Sequence, residues 1–342
     1  MSRIRIILTL VAAFHVSAVV SRGCAICMGV VPQKPTLADE VSVAREVVVA
    51  TATTEAGTFE VHAVIKGDAA LKGVRVKAPG IEGKGTLILA HAAADAPWSS
   101  LGESGIQFAG FFKAILALPA AEPVTEAQWN ERLSAFRPFL GHPDPRIARS
   151  AWAAWARAPY RVLKTQRLEA ENLRAWLTDP AQAYAQPMWI VLLGASGDTD
   201  DARKANEQLE AAWKANDASL LAALLTARIE REGDGGVAWL EIHYLRDRDR
   251  TLEEIQAAVA ALGVQGEASE RLRPRILASC RLFLTERRPL SGLVARDLAA
   301  WRDWSAAAHY QTLLASGEPV LPETRGRIQE YLKACRAAAN KP

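Results

Sequence analysis

The hydrophobic period of this 342-residue chain changes once, and that change limits the fold more than any other feature. From Val41 to about Ala93 the apolar residues come in β-branched runs or alternate with polar ones. Val43 to Thr54 is a valine- and threonine-rich run. Phe59, Val61, Ala63 and Ile65 alternate with Glu60, His62 and Lys66, which predicts a strand with one buried face. Gly67-Asp68 marks a turn, Gly73 to Lys77 alternates again, and Leu87-Ile88-Leu89 is short enough for a core strand. Strands at this spacing predict a small antiparallel barrel or sandwich. Phe108, Phe111, Phe112 and Ile115 then fall at helical spacing within a closing helix over Gly105 to Leu118, and Pro119 to Pro123 marks a boundary.

Beyond Thr125 the period is helical throughout, enough for about ten helices joined by short loops. Thr251 and Glu254 form a capping box: the hydroxyl accepts the Glu254 amide while the carboxylate reaches back. Leu252, Ile255, Val259 and Leu262 follow on one face, and Gly263 is expected to end that helix. The predicted fold class is therefore α+β, mainly α. A β-rich domain over 24–120 carries the closing helix, and an α-helical domain covers 125–340.

Two resemblances sharpen this picture. Phe139-Leu140-Gly141-His142-Pro143-Asp144-Pro145, followed by Ile147 and Ala151, resembles the inter-helix turn of HEAT-type repeats. In that family an aspartate-proline opens the second helix, which implies a divergent α-solenoid over 125–340. Asp144 can cap, and proline suits the first helical position. Cys24-Ala25-Ile26-Cys27, then Ala38-Asp39, the valine run, Phe59 to Ile65 and Lys66-Gly67, resembles the netrin-like, OB-type barrel of exported proteins. That family tethers its N-terminal cysteines to the barrel. This chain departs from the pattern, since no cysteine lies between Cys27 and Cys280.

The N-terminus predicts the compartment. Met1 to Arg5 is short and positive, Ile6 to Val20 is nearly all apolar, and small residues follow at Ser17, Ala18, Ser21 and Gly23. This is the pattern of a secretory signal peptide over 1–23, with an uncleaved anchor or a buried helix as the alternatives. Gly23-Cys24 also resembles a bacterial lipoprotein junction, from which Ser21 and Arg22 depart. Any membrane attachment would come through this segment or through a lipid on Cys24. The expected location is exported: periplasmic, secreted or envelope-associated. Arg3, Arg5 and Arg22 also account for the charge. Without them the 41 Lys and Arg become 38, against 38 Asp and Glu, so the remaining chain is neutral and lacks the basic footprint of a nucleic-acid binder.

Chemistry is sparse. Cys24 and Cys27 form the one compact reactive motif, open to a local disulfide, to thiol exchange, or to Cu or Zn with Met28 as a third soft ligand. Glycine and proline after the motif argue against a thioredoxin-type helix. Cys280 and Cys335 read as buried small hydrophobes. No two histidines are spaced for a metal-binding helix face, and neither a nucleophile elbow nor a phosphate loop is present. Asp198, Asp200 and Asp201 read as a helix cap at Asp200, and Arg246 to Arg250 as a solvated turn of alternating charge. Ten tryptophans stand out, with W-x-x-W pairs at Trp152/Trp155 and Trp301/Trp304. Such pairs can form a partner-binding platform or fill space between helices. The resulting expectation is an exported, non-enzymatic scaffold that binds a protein, peptide or envelope component, with no cofactor unless Cu or Zn sits at the cysteines. The alternatives are a metal-binding or thiol-redox protein acting through Cys24 and Cys27, and an enzyme with a dispersed site at the domain junction.

Overall fold

A computed structural model describes residues 24–28, 35–82, 85–93, 95–119 and 121–340. The expected signal peptide over 1–23 lies outside these residues. The chain begins with α1 (Ala25–Met28) and α2 (Leu37–Val43), then β1 (Glu46–Ala52), β2 (Thr58–Lys66), β3 (Arg75–Lys77), β4 (Thr86–His91), β5 (Ser99–Glu103) and α3 (Phe108–Leu116). Next come α4 (Glu126–Phe136), α5 (Pro145–Ala156), α6 (Tyr160–Leu163), α7 (Ala170–Thr178), α8 (Gln186–Ser196) and α9 (Thr199–Ala215). The remainder is α10 (Leu221–Glu232), α11 (Asp234–Leu240), α12 (Leu252–Ala268), α13 (Arg273–Glu286), α14 (Ala295–Ala300), α15 (Ala307–Ala315) and α16 (Pro322–Ala339). The fold is α+β and mainly helical. Among the described residues no helix is long and apolar enough to cross a membrane.

The strands form one open antiparallel sheet in the order β3-β2-β1-β4-β5, where a closed barrel or a sandwich was expected. Closure fails because β3 pairs only over Thr58–Glu60 of β2, and β5 ends the other side. That second edge is shielded by Arg146 of α5, which donates to the carbonyls of Leu101 and Glu103 at 3.2 and 3.0 Å. Alternation then divides the sheet's two faces. Val48, Ala50, Phe59, Val61, Leu87 and Leu89 form a small cluster of their own. Val47, Ile88 and Ala90 face the other way and join the core shared with the helices.

Residues 37–43 are helical, not the start of the first strand. Thr36 and Asp39 form a capping box, with the Asp39 amide donating to Thr36 Oγ1 at 3.3 Å and the Thr36 amide donating to Asp39 Oδ2 at 2.8 Å. The closing helix is present as α3; Phe111 meets Phe136 and Phe139 edge-on at 6.2 and 5.3 Å between ring centres. Among the later helices, α8, α10 and α12 pack in succession, with α7 against α8 and with α9 and α11 against α10. The Thr251–Glu254 box opens α12, but Gly263 does not end it. Side-chain-free glycines inside α12 serve packing instead: a Cβ at Gly266 would stand 2.5 Å from the Trp301 ring, and one at Gly263 would stand 2.8 Å from Asp297. At α9 the cap is Asp198, which accepts the amides of Asp200 and Asp201 at 2.9 and 3.0 Å.

Candidate functional site

The cysteine motif sits elsewhere than the β domain. Helix α1 packs against α5, α8, α10 and α12, and both Cys24 and Cys27 are 1% exposed. The Cys24 amide donates to the Ala158 carbonyl at 2.9 Å, and the two cysteines stand at disulfide distance with Cα atoms 5.2 Å apart. Within the expected 24–120 unit, this first segment therefore packs with the later helices: Ile26 and the two cysteines are apolar and join the core shared with them. Sulfurs joined in such a bond would supply no thiolate to Cu or Zn, and Cys24 would have no valence left for a lipid thioether. Exchange needs an attacking thiolate to reach a sulfur, which this burial prevents. Among the described residues no group of three His, Cys, Asp or Glu could hold a metal. The Met28 side chain lies outside the described residues. Cys280 and Cys335 are free, and burial pushes the Cys280 thiol up.

The tryptophan pairs divide. Trp155 is fully buried, donating from Nε1 to the Leu133 carbonyl at 3.1 Å, and Trp152 is buried edge-on to Tyr184 at 5.2 Å. Neither indole can meet a partner, because α5 is enclosed by α1, α2 and α4. Trp301 and Trp304 are half-buried; Trp301 rests on Gly266 and Trp304 meets Tyr331 at 5.4 Å. The Arg246–Arg250 segment is less solvated than expected, since Arg250 inserts to bind Asp247, the buried Glu254 and the Trp213 carbonyl at 2.8, 3.1 and 2.8 Å.

A recess lies where sheet and helices meet. It is a cleft of about 230 Å³ between α2, the end of β2, the end of α3, α4 and α5. Val41, Phe136 and Ala154 give it an apolar floor, and Ile115, Leu116 and Leu118 form one wall. Lys66 enters from β2 and donates through Nζ to the carbonyls of Val41 and Ser42, closing the end of α2. Arg132 of α4 donates to the carbonyls of Pro119 and Ala121, both at 3.1 Å, and faces Glu122 at 3.5 Å. Asp39 is held by Arg157 through two bonds of 2.6 and 2.8 Å, and Ser150 Oγ accepts the Ala38 amide at 3.3 Å. Burial pushes the Asp39 carboxyl up, but the Arg157 guanidinium and the Thr36 donors outweigh it and hold the pKa at about 2.

None of these residues was expected from the sequence to form a site, although Asp39 and Lys66 belong to the segments that carry the netrin-like resemblance. The Thr36–Asp39 spacing was a readable cap. Nothing local joins Asp39 to Arg157, 118 positions away, or Lys66 to Arg132. No protein family, no curated protein and no solved structure matches this chain.

Proposed function

We propose that the chain is an exported, non-enzymatic binding protein: a small β domain fused to a divergent HEAT-like solenoid that together take a protein, peptide or envelope component. The single observation that carries this reading is the open, apolar-floored cleft at the junction of sheet and helices. Its polar side chains are engaged in holding α2, α3, α4 and α5 in place. Fixed polar groups around an apolar floor suit recognition, because such a wall is preorganised and loses little entropy on binding. The succession of α8, α10 and α12 and the Asp144-Pro145 turn support the solenoid, and the charged-then-apolar segment over 1–23 supports export.

Two measurements test this. Intact masses of the protein recovered from exported and cytoplasmic fractions of its expression host should reveal a shortened form outside the cytoplasm; full-length protein confined to the cytoplasm overturns export. Soluble proteins of the exported fraction should bind the immobilised chain saturably, and Ala154→Leu, which fills the floor, should weaken that binding at least tenfold. Binding unchanged by this substitution would remove the cleft from the function.

A further inference from the structure

Deepening the binding reading above, on which it rests, we infer that the junction cleft takes an aliphatic carboxylate, with its acid group toward Lys66 and Arg132 and its hydrocarbon against Val41, Phe136 and Ala154. The first argument is charge. Asp39 is already neutralised by Arg157 in a two-bond pair, so it does not answer the remaining cations. An ammonium has three donors, and Lys66 gives two of them to the carbonyls of Val41 and Ser42 at 3.0 and 2.7 Å. Among the described residues no carboxylate pairs with it. The Arg132 side chain is only 15% exposed, yet its acidic neighbour Glu122 stands 3.5 Å away and is 66% exposed. A cation drawn out of water beside a loosely held counter-ion favours a second anion, and an incoming carboxylate would form charge-assisted bonds there.

The second argument is size and polarity. The cleft of about 230 Å³ has room for a short aliphatic chain, of which hexanoate is a convenient probe. Its buried polar side chain, Ser150, is already engaged with the Ala38 amide and the Arg146 carbonyl, whereas Val41, Phe136 and Ala154 can receive methylene groups. The same chemistry, a carboxylate on a short aliphatic body, occurs in free short-chain fatty acids and at the C-terminal residue of a peptide ending in leucine or valine.

The test is calorimetric titration of the full chain with hexanoate, hexan-1-ol, and acetyl-Ala-Leu as free acid or amide. Hexanoate should bind saturably and about tenfold more tightly than hexanol, the contribution of one or two charge-assisted bonds. Lys66→Met and Arg132→Gln should each weaken hexanoate about tenfold. Because both residues also hold backbone carbonyls, the decisive variant is Glu122→Gln, on an exposed side chain: removing the competing anion should tighten hexanoate severalfold. Tighter binding of the dipeptide acid than of hexanoate and of its own amide assigns the peptide terminus; the reverse order assigns the free acid. Equal affinity for hexanoate and hexanol, no response to Glu122→Gln, or no saturable binding at all overturns the carboxylate. Partner binding that remains sensitive to Ala154→Leu while hexanoate fails would overturn this inference alone and leave the proposed function standing.

Discussion

The two W-x-x-W segments share a spacing and differ in fate. Trp152 and Trp155 lie on α5, a helix contacted by α1, α2 and α4, so both indoles are enclosed. Trp301 and Trp304 follow α14, in a turn beside α12 and α16, and stay half-buried. Residue type and spacing are therefore not what decides whether an indole is core or surface. The number of elements laid over its helix decides it, and α5 is the element on which the N-terminal segments and the helical array converge. Arg146 reaches from α5 to the edge of the sheet, Ser150 receives α2, and Arg157, just past its end, clasps Asp39.

The sharpest way to break this comparison is to truncate one indole from each pair. Trp155→Ala should destabilise the protein by about 3–5 kcal/mol in urea unfolding, and Trp304→Ala by about 1–2 kcal/mol. Equal losses would show that α5 is no special junction. The cysteine pair beside α5 comes next. Replacing Cys24 and Cys27 together with serine removes a small-loop crosslink worth roughly 2 kcal/mol and leaves two buried hydroxyls seeking partners, so the midpoint temperature should fall markedly. A midpoint unchanged by the substitution would place α1 outside the folded core.

At the second pair, Gly266→Ala should cost about 1–3 kcal/mol, because its methyl would meet the Trp301 ring at 2.5 Å. Trp301→Ala made together with Gly266→Ala should lose less than the two single losses combined, and simple additivity would deny the contact.

The smallest effect is acid sensitivity at the clasp on α5. Folding lowers the Asp39 pKa from 3.8 to about 2, so its contribution is fully present above about pH 4 and is lost as the pH falls toward 2. Because the pair is partly open to water, the loss should be about 1 kcal/mol. Asp39→Asn should flatten that part of the stability–pH curve, and an unchanged curve would assign the acid response elsewhere.

Part of the β region was legible because a strand with one wet face announces itself by alternation, as β2 does from Phe59 to His62; beyond that the pattern fails, and Ala63 to Lys66 are all partly buried. Helix α3 was legible from its phenylalanines, and α12 from its capping box. The reading failed where a local signal was outranked. The valine run hid the Thr36–Asp39 cap and so the whole of α2. Gly263 looked like a terminator, but a glycine inside a helix can equally admit a neighbour, and only the position of Asp297 tells which. The cleft was illegible for a simpler reason: its Lys66, Arg132 and Phe136 come from distant segments and carry no mutual spacing.

By itself the sequence determined the α+β class, the place where strands give way to helices, and the neutrality of the chain beyond its first 23 residues. These are properties of period and composition, which act locally along the chain. Tertiary structure alone decided that the sheet stays open, that Cys24 and Cys27 are buried among helices, and that one tryptophan pair is enclosed while the other is half-exposed. It also decided that a cleft exists at the junction. Each of these depends on which surfaces cover which, and a one-dimensional pattern of apolar residues states how much surface must be buried without naming the element that buries it.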